Sequence, residues 1–278
     1  MKVTIPVIAI VALAGSVAHL QEETAPRPSA VTTVEPATLV DAQRSFYNGH
    51  YEKAAAQSLE LCSAEGDDLA ACELRTSTLH FQIRRALGDQ ADREQAWKQC
   101  AVCPDLLSAF LTETARSQAI ARARLQKDPD DETTLFLLGK IDLNYVWLQL
   151  GTLGRKTGWR EYWEARKSLD QVLKQHPGHV RARVARAWVD YIVDTRMPRG
   201  TRWILGGGDK KRGLRVVREA AHGEADFFER AEAVFALWDM QVRERDLAGA
   251  VLTAQDLVRD FPDNRELTRF LEAHTLVQ

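Results

Sequence analysis

Four short stretches of this chain repeat one another in register, and that register limits what the chain can become. They are GHYEKA (49–54), REYWEA (160–165), GDKKRG (208–213) and RDLAGA (245–250). Each marks where a helix should begin, and each ends on a small residue five positions later. Three of them stay in step further on. Leu61, Val172 and Leu257 fall seven residues after Ala54, Ala165 and Ala250, and Gly66, Pro177 and Pro262 fall twelve after them. A small residue at a fixed helical position lets a second helix approach closely. One helical hairpin cannot bury its apolar face alone, so neighbouring hairpins must stack.

The rest of the chain agrees with helices. From Leu39 onward there is little strict alternation and much three-to-four spacing. Leu135, Leu138, Ile141, Leu143, Val146 and Leu150 trace one helix face, Val216, Val217 and Ala220 another, and Leu267, Phe270 and Leu271 a third. The breakers DPDD (128–131), HPGH (176–179) and FPDN (261–264) place Pro just past one helix and a polar cap before the next. The fold class predicted is all-α.

This phasing resembles the tetratricopeptide repeat (TPR) family. Ala42 stands twelve residues before Ala54, as the small residues of that family's paired helices would, and Leu138-Gly139 resembles the Leu-Gly pair of its first helix. The resemblance covers residues 38–275. It implies an α-solenoid of about six antiparallel helical hairpins, with a C-terminal capping helix and a concave surface. There are departures. Gly139 and Ala165 are 26 residues apart, which makes QLGTLGRKTGW an insertion or an extended helix pair. The loop DTRMPRGTRWILGGG is also long, and residues 67–127 fit the repeat poorly.

The N-terminal stretch MKVTIPVIAIVALAGSVAHLQ has one lysine, an apolar run and small residues at Ser16 and Ala18. It reads as a cleaved secretory signal over residues 1–18, with an uncleaved anchor as the alternative. The run is short for a membrane span of about 20 residues. Residues 19–37, rich in Pro and Thr, read as a tether, and residues 38–278 as the folded domain. The expected location is periplasmic or secreted, with no span in the mature chain.

ILGGGDKKRG (204–213) invites a phosphate-loop reading. The P-loop pattern needs Ser or Thr after its lysine, and a dinucleotide loop needs a preceding strand. Neither is present, so the glycines are read as a turn and Asp209 as a helix N-cap, with Gly213 in the place of Ala54. An anion contact at Lys210 and Lys211 is the alternative.

Four cysteines allow three pairings. Hairpin length favours Cys62–Cys72, and the short CAVC favours Cys100–Cys103, as disulfides of an exported protein. A thiol-redox role for the CxxC would want a βαβ context, and a haem site would want His where Pro104 stands. His176 and His179 are read as loop residues, and Asp67-Asp68 and Asp130-Asp131 as helix caps. No catalytic motif, metal-ligand set or cofactor signature is found, so the expected protein is not an enzyme.

Charge and aromatics single out one region. Residues 151–220 hold 17 Lys and Arg against 7 Asp and Glu, in a chain with 37 against 39 overall. The net charge of −2 does not suggest nucleic acid. Trp147, Trp159, Tyr162, Trp163, Trp188, Tyr191 and Trp203 crowd the same region. The TPR resemblance places Arg181, Arg183 and Arg186 on a first helix lining the groove, with Lys140 and Asn144 near clamp positions. The candidate partner site is therefore Lys140, Asn144, Arg181, Arg183, Arg186, Trp188, Lys210 and Lys211. The expected function is a non-catalytic scaffold in the cell envelope that binds an acidic protein or peptide. The alternatives are a periplasmic binding protein for a small anionic or lipid-like ligand, and, more weakly, a redox protein using Cys100 and Cys103.

Overall fold

The acidic breakers fold as helix caps. The side chains of Asp68, Asp131, Asp209 and Asp246 accept the backbone N–H of Ala71 (3.2 Å), Thr134 (3.3 Å), Arg212 (2.9 Å) and Gly249 (3.1 Å). Each satisfies a donor that the helix itself leaves open, worth about 1 kcal/mol. His179 does the same for Ala182, so HPGH is a turn and cap.

The structure, a computed structural model, describes residues 37–63, 68–88, 92–197 and 199–275. The expected signal segment and residues 19–36 of the expected tether lie outside these. Among the described residues there is no strand, and the helices are α1 (Leu39–Tyr47), α2 (Tyr51–Ser63), α3 (Leu69–Leu87), α4 (Arg93–Gln99), α5 (Cys103–Lys127), α6 (Glu132–Val146), α7 (Trp159–Gln175), α8 (Val180–Arg196), α9 (Lys210–His222), α10 (Phe227–Arg243), α11 (Leu247–Asp260) and α12 (Arg265–Thr275). None is long and apolar enough to cross a membrane.

Consecutive helices pack on one another: α1 on α2, α2 on α3, α3 on α5, α5 on α6, α6 on α7, α7 on α8, α8 on α9, α9 on α10, α10 on α11 and α11 on α12. The poor repeat fit over 67–127 has a plain cause. A 25-residue α5 and the short α4 stand between α3 and α6, so the spacing there is lengthened. The phased alanines are the contact points: Ala42, Ala54, Ala165 and Ala250 are fully buried. Gly139 and Ala165, far apart in sequence, meet where α6 crosses α7, and a Cβ on Gly139 would lie 3.1 Å from Leu169.

Both expected sulfur pairs form. Cys62–Cys72 ties α2 to α3, and Cys100–Cys103 spans the entry to α5. Such bonds belong to an oxidising compartment.

The two ends of the domain meet. Tyr47 at the end of α1 lies against Phe228 and Phe235 of α10 and against Phe261, with ring centroids 5.3–5.9 Å apart. Asn264 Nδ2 donates to the Tyr47 carbonyl (2.7 Å), and Asn48 Oδ1 accepts from Asp263 N (3.2 Å). Helices α3, α6, α8 and α10 thus face a common interior.

The glycine stretch turns the chain. Gly206 and Gly207 take φ of +76° and +78°, conformations that favour glycine. A Cβ on Gly213 would sit 2.8 Å from the Ala187 carbonyl oxygen, because α9 crosses α8 there. Gly213→Leu should therefore cost about 1–3 kcal/mol in urea unfolding, and Asp209→Ala about 1 kcal/mol. Lys211→Ala, on an exposed side chain, should leave the midpoint unchanged. If Lys211 proves more costly than Gly213, the turn-and-cap account is wrong.

Candidate functional site

The interior holds a cavity of about 950 Å³. Its walls are aromatic. Phe46, Tyr51 and Phe81 meet edge-on or tilted, with centroids 5.2–5.6 Å apart, on one side, and Trp147, Trp159, Trp188, Phe235 and Trp238 line the others. Large rings bury much area with little rotamer entropy, which suits a wall that must keep its shape.

The segment that broke the repeat spacing forms much of one wall. After Val146 the helix loosens into a π-helical turn, Trp147–Thr152, and then loops to Trp159. Trp147, Leu150, Gly151, Thr152, Gly154, Arg155 and Lys156 all face the cavity. His80 of α3 pins the turn through a 3.0 Å hydrogen bond between its Nε2 and Thr152 Oγ1. Burial, then the nearby Arg84 charge, pushes the His80 pKa down to about 3, so its ring is neutral at ordinary pH.

A polar network crosses the interior. Glu232 of α10 accepts from Lys140 Nζ of α6 (2.5 Å) and from Arg181 Nε of α8 (2.7 Å). Arg181 also lies 3.6 Å from Glu73 of α3 and over the Phe136 ring. Asn144 Nδ2 donates to Glu73 Oε1, Thr76 Oγ1 and Ser77 Oγ at 2.8–3.2 Å. Burial would raise the Glu232 carboxyl, but the Lys140 and Arg181 charges outweigh it and hold the pKa at about 2. Two cations and two carboxylates balance, so the centre of the cavity carries no net charge.

The predicted site residues therefore separate. Lys140, Asn144, Arg181 and Trp188 line the cavity, and Arg183, Arg186, Lys210 and Lys211 do not. Arg183 donates to Glu219 of α9 (3.1 Å), and Arg186 to Asp170 and Asp190 (2.7 and 2.5 Å). Lys210 Nζ donates to Glu244 (2.6 Å), which also accepts from Tyr191. Lys211 is exposed on the outer surface of α9. The three arginines do not share a face. At about 100° per residue, positions 183 and 186 point well away from 181, whereas 184, 185, 188 and 192 follow it. Within the basic segment, Arg181 and Lys210 pair with acids from outside it, Glu73, Glu232 and Glu244, while Arg160, Arg166, Arg183, Arg186, Arg202 and Arg215 pair with the segment's own acids.

Sequence reasoning missed Glu73 and Glu232. A signal existed for Glu232, which interrupts the apolar spacing of Phe228, Ala231, Phe235 and Trp238. A lone acid inside such a stripe asks for a buried partner.

Where the cavity reaches solvent, Arg93, Arg155, Lys156 and Arg196 are exposed and have no acidic partner among the described residues. Among the described residues, the one grouping of metal-type donors is Cys62, Cys72 and Glu113, and its two sulfurs are bonded to each other. Cys103 is fully buried against Leu79, Ile83 and Phe110, with Cys100 beside it.

Comparison with protein-family models, with curated proteins and with solved structures finds no match.

Proposed function

We propose that this chain is a non-catalytic binding protein of the cell envelope whose cavity holds a small amphipathic anion. Its helix pairs are read as a TPR-like solenoid of five hairpins and a capping helix, curled until its ends meet. The observation that carries the reading is the cavity itself: aromatic walls, a charge-balanced centre, and unmatched cations at the opening. A cavity of about 950 Å³ is within the range of about 300–1,000 Å³ typical of small-ligand sites. The walls favour an apolar body, and Arg93, Arg155, Lys156 and Arg196 favour an anionic head. A groove for an acidic peptide would need Lys140 and Arg181 free, and both are bonded to Glu232. The two disulfides support export to an oxidising compartment, as the N-terminal reading expects.

The test is equilibrium binding of a fluorescent long-chain carboxylate and of its uncharged alcohol. The carboxylate should bind more tightly than the alcohol. It should also raise the melting temperature, by about 2.7 kcal/mol of stabilisation at a hundredfold excess over Kd. Trp188→Ala should weaken it about tenfold, a loss of about 1.4 kcal/mol. Failure of both probes, with retention of an acidic peptide instead, would sink the small-ligand reading.

A further inference from the structure

We propose that one end of the molecule docks on an anionic lipid bilayer. This goes beyond the cavity reading; the two surfaces share Trp159, Arg155 and Lys156, but Trp203 and Ile204 lie outside the cavity, so their variants test the bilayer reading separately. Four large apolar side chains stand exposed on two segments that meet at Tyr162 and Leu205: Trp203 (75 %), Ile204 (52 %), Trp163 (44 %) and Trp159 (41 %). They come from two segments that the fold clamps to each other. Tyr162 Oη and Arg166 Nη1 both donate to the Leu205 carbonyl (2.8 and 2.6 Å), and Arg166 Nη2 donates to the Gly206 carbonyl (2.8 Å). Leu205 itself is buried, so it anchors the 3₁₀ turn Arg199–Leu205 while Trp203 and Ile204 project from it.

Two observations name the partner. The first is charge. Residues 195–208 contain three arginines and no acid, and residues 151–160 contain Arg155, Lys156 and Arg160 and no acid. The nearest acids are engaged: Asp194 with Arg202, Glu161 with Arg160, and Glu164 with Arg122. With Arg160 and Arg202 thus neutralised, Arg155, Lys156 and Arg196 still have no acidic partner among the described residues, so the patch is net positive and complementary to an anionic surface. The second is shape. Trp203 and Ile204 protrude at the tip of a turn. Protruding tryptophans and an isoleucine beside basic residues suit the headgroup layer of a bilayer. Each surface cation contributes about 1 kcal/mol to attraction by anionic lipid, which is about fivefold in binding.

The experiment is co-sedimentation of the disulfide-bonded protein with vesicles of phosphatidylglycerol and phosphatidylcholine, against vesicles of phosphatidylcholine alone. Wild type should sediment with the anionic vesicles only, and less as salt rises. Trp203→Ser with Ile204→Ser should cut the bound fraction about tenfold or more. Arg155→Gln with Lys156→Gln should do likewise, by about 25-fold if each charge counts fully. All four positions are exposed, and an unchanged melting temperature confirms that the fold persists. Wild type that ignores anionic vesicles overturns the proposal, as does binding indifferent to both double variants. Retention of polyglutamate without vesicle binding overturns it in favour of an acidic protein partner.

Discussion

Glu232→Gln should destabilise the protein by about 3 kcal/mol at pH 7, a large effect for one substitution. The carboxylate sits between Lys140 and Arg181, both mostly buried. Removing its charge leaves two cations in the interior with only Glu73 nearby. The effect should depend on pH in a defined sense. Lys140 and Arg181 hold the folded-state pKa of Glu232 at about 2, below its ordinary value of 4.5. A depressed carboxyl contributes stability that is present above the ordinary pKa and is lost as pH falls through the folded one. The gap between wild type and variant should therefore be full at pH 7, narrow below pH 4.5 and be nearly closed near pH 2. Urea midpoints across that range measure it. A gap that does not change with pH would show that the charge of Glu232 is not what stabilises the interior.

Asp142→Asn should act in the opposite direction and stabilise the protein at alkaline pH. Asp142 is fully buried on α6 and accepts from Gln118 Nε2 at 2.7 Å. Its other oxygen has no hydrogen-bond partner. Burial, then the negative charge of Glu164, raises its pKa to about 8, while Arg122 opposes them in part. A raised carboxyl contributes stability that is present below its ordinary pKa and is lost as pH rises through the folded one. Wild type thus carries a growing penalty between about pH 4 and pH 8, at about 1.36 kcal/mol per pH unit. Asparagine keeps the acceptor for Gln118 and never ionises. The variant should match wild type near pH 4 and exceed it by about 5 kcal/mol near pH 8–9. Equal losses of stability at both pH values would mean that Asp142 is ionised and well satisfied in the fold.

The candidate site was half legible from the sequence. Lys140, Asn144, Arg181 and Trp188 reach the cavity, and helical arithmetic could have excluded Arg183 and Arg186. Charge counting could not say which cations were available. Arg181 and Lys140 find Glu232 at sequence separations of 51 and 92 residues, and Lys210 finds Glu244 at 34. Two cations of the net positive segment, Arg181 and Lys210, are thus taken up by acids that lie far away in the sequence.

The sequence alone determined the local chemistry. Helices, acidic caps, the turn at Gly206-Gly207, the close approaches at the phased alanines and both cysteine pairs follow from residues within a few turns of one another. Such interactions are set by spacing, and spacing is written in the chain. Tertiary structure alone decided that α1 meets α10 and the Phe261 turn, that the 147–158 insertion becomes a cavity wall, and that the interior charges cancel. Those outcomes depend on how each pair of helices is rotated onto the next. The packing of helices far apart in sequence, which no local spacing encodes, brings Tyr47 onto Phe235 and closes the space between.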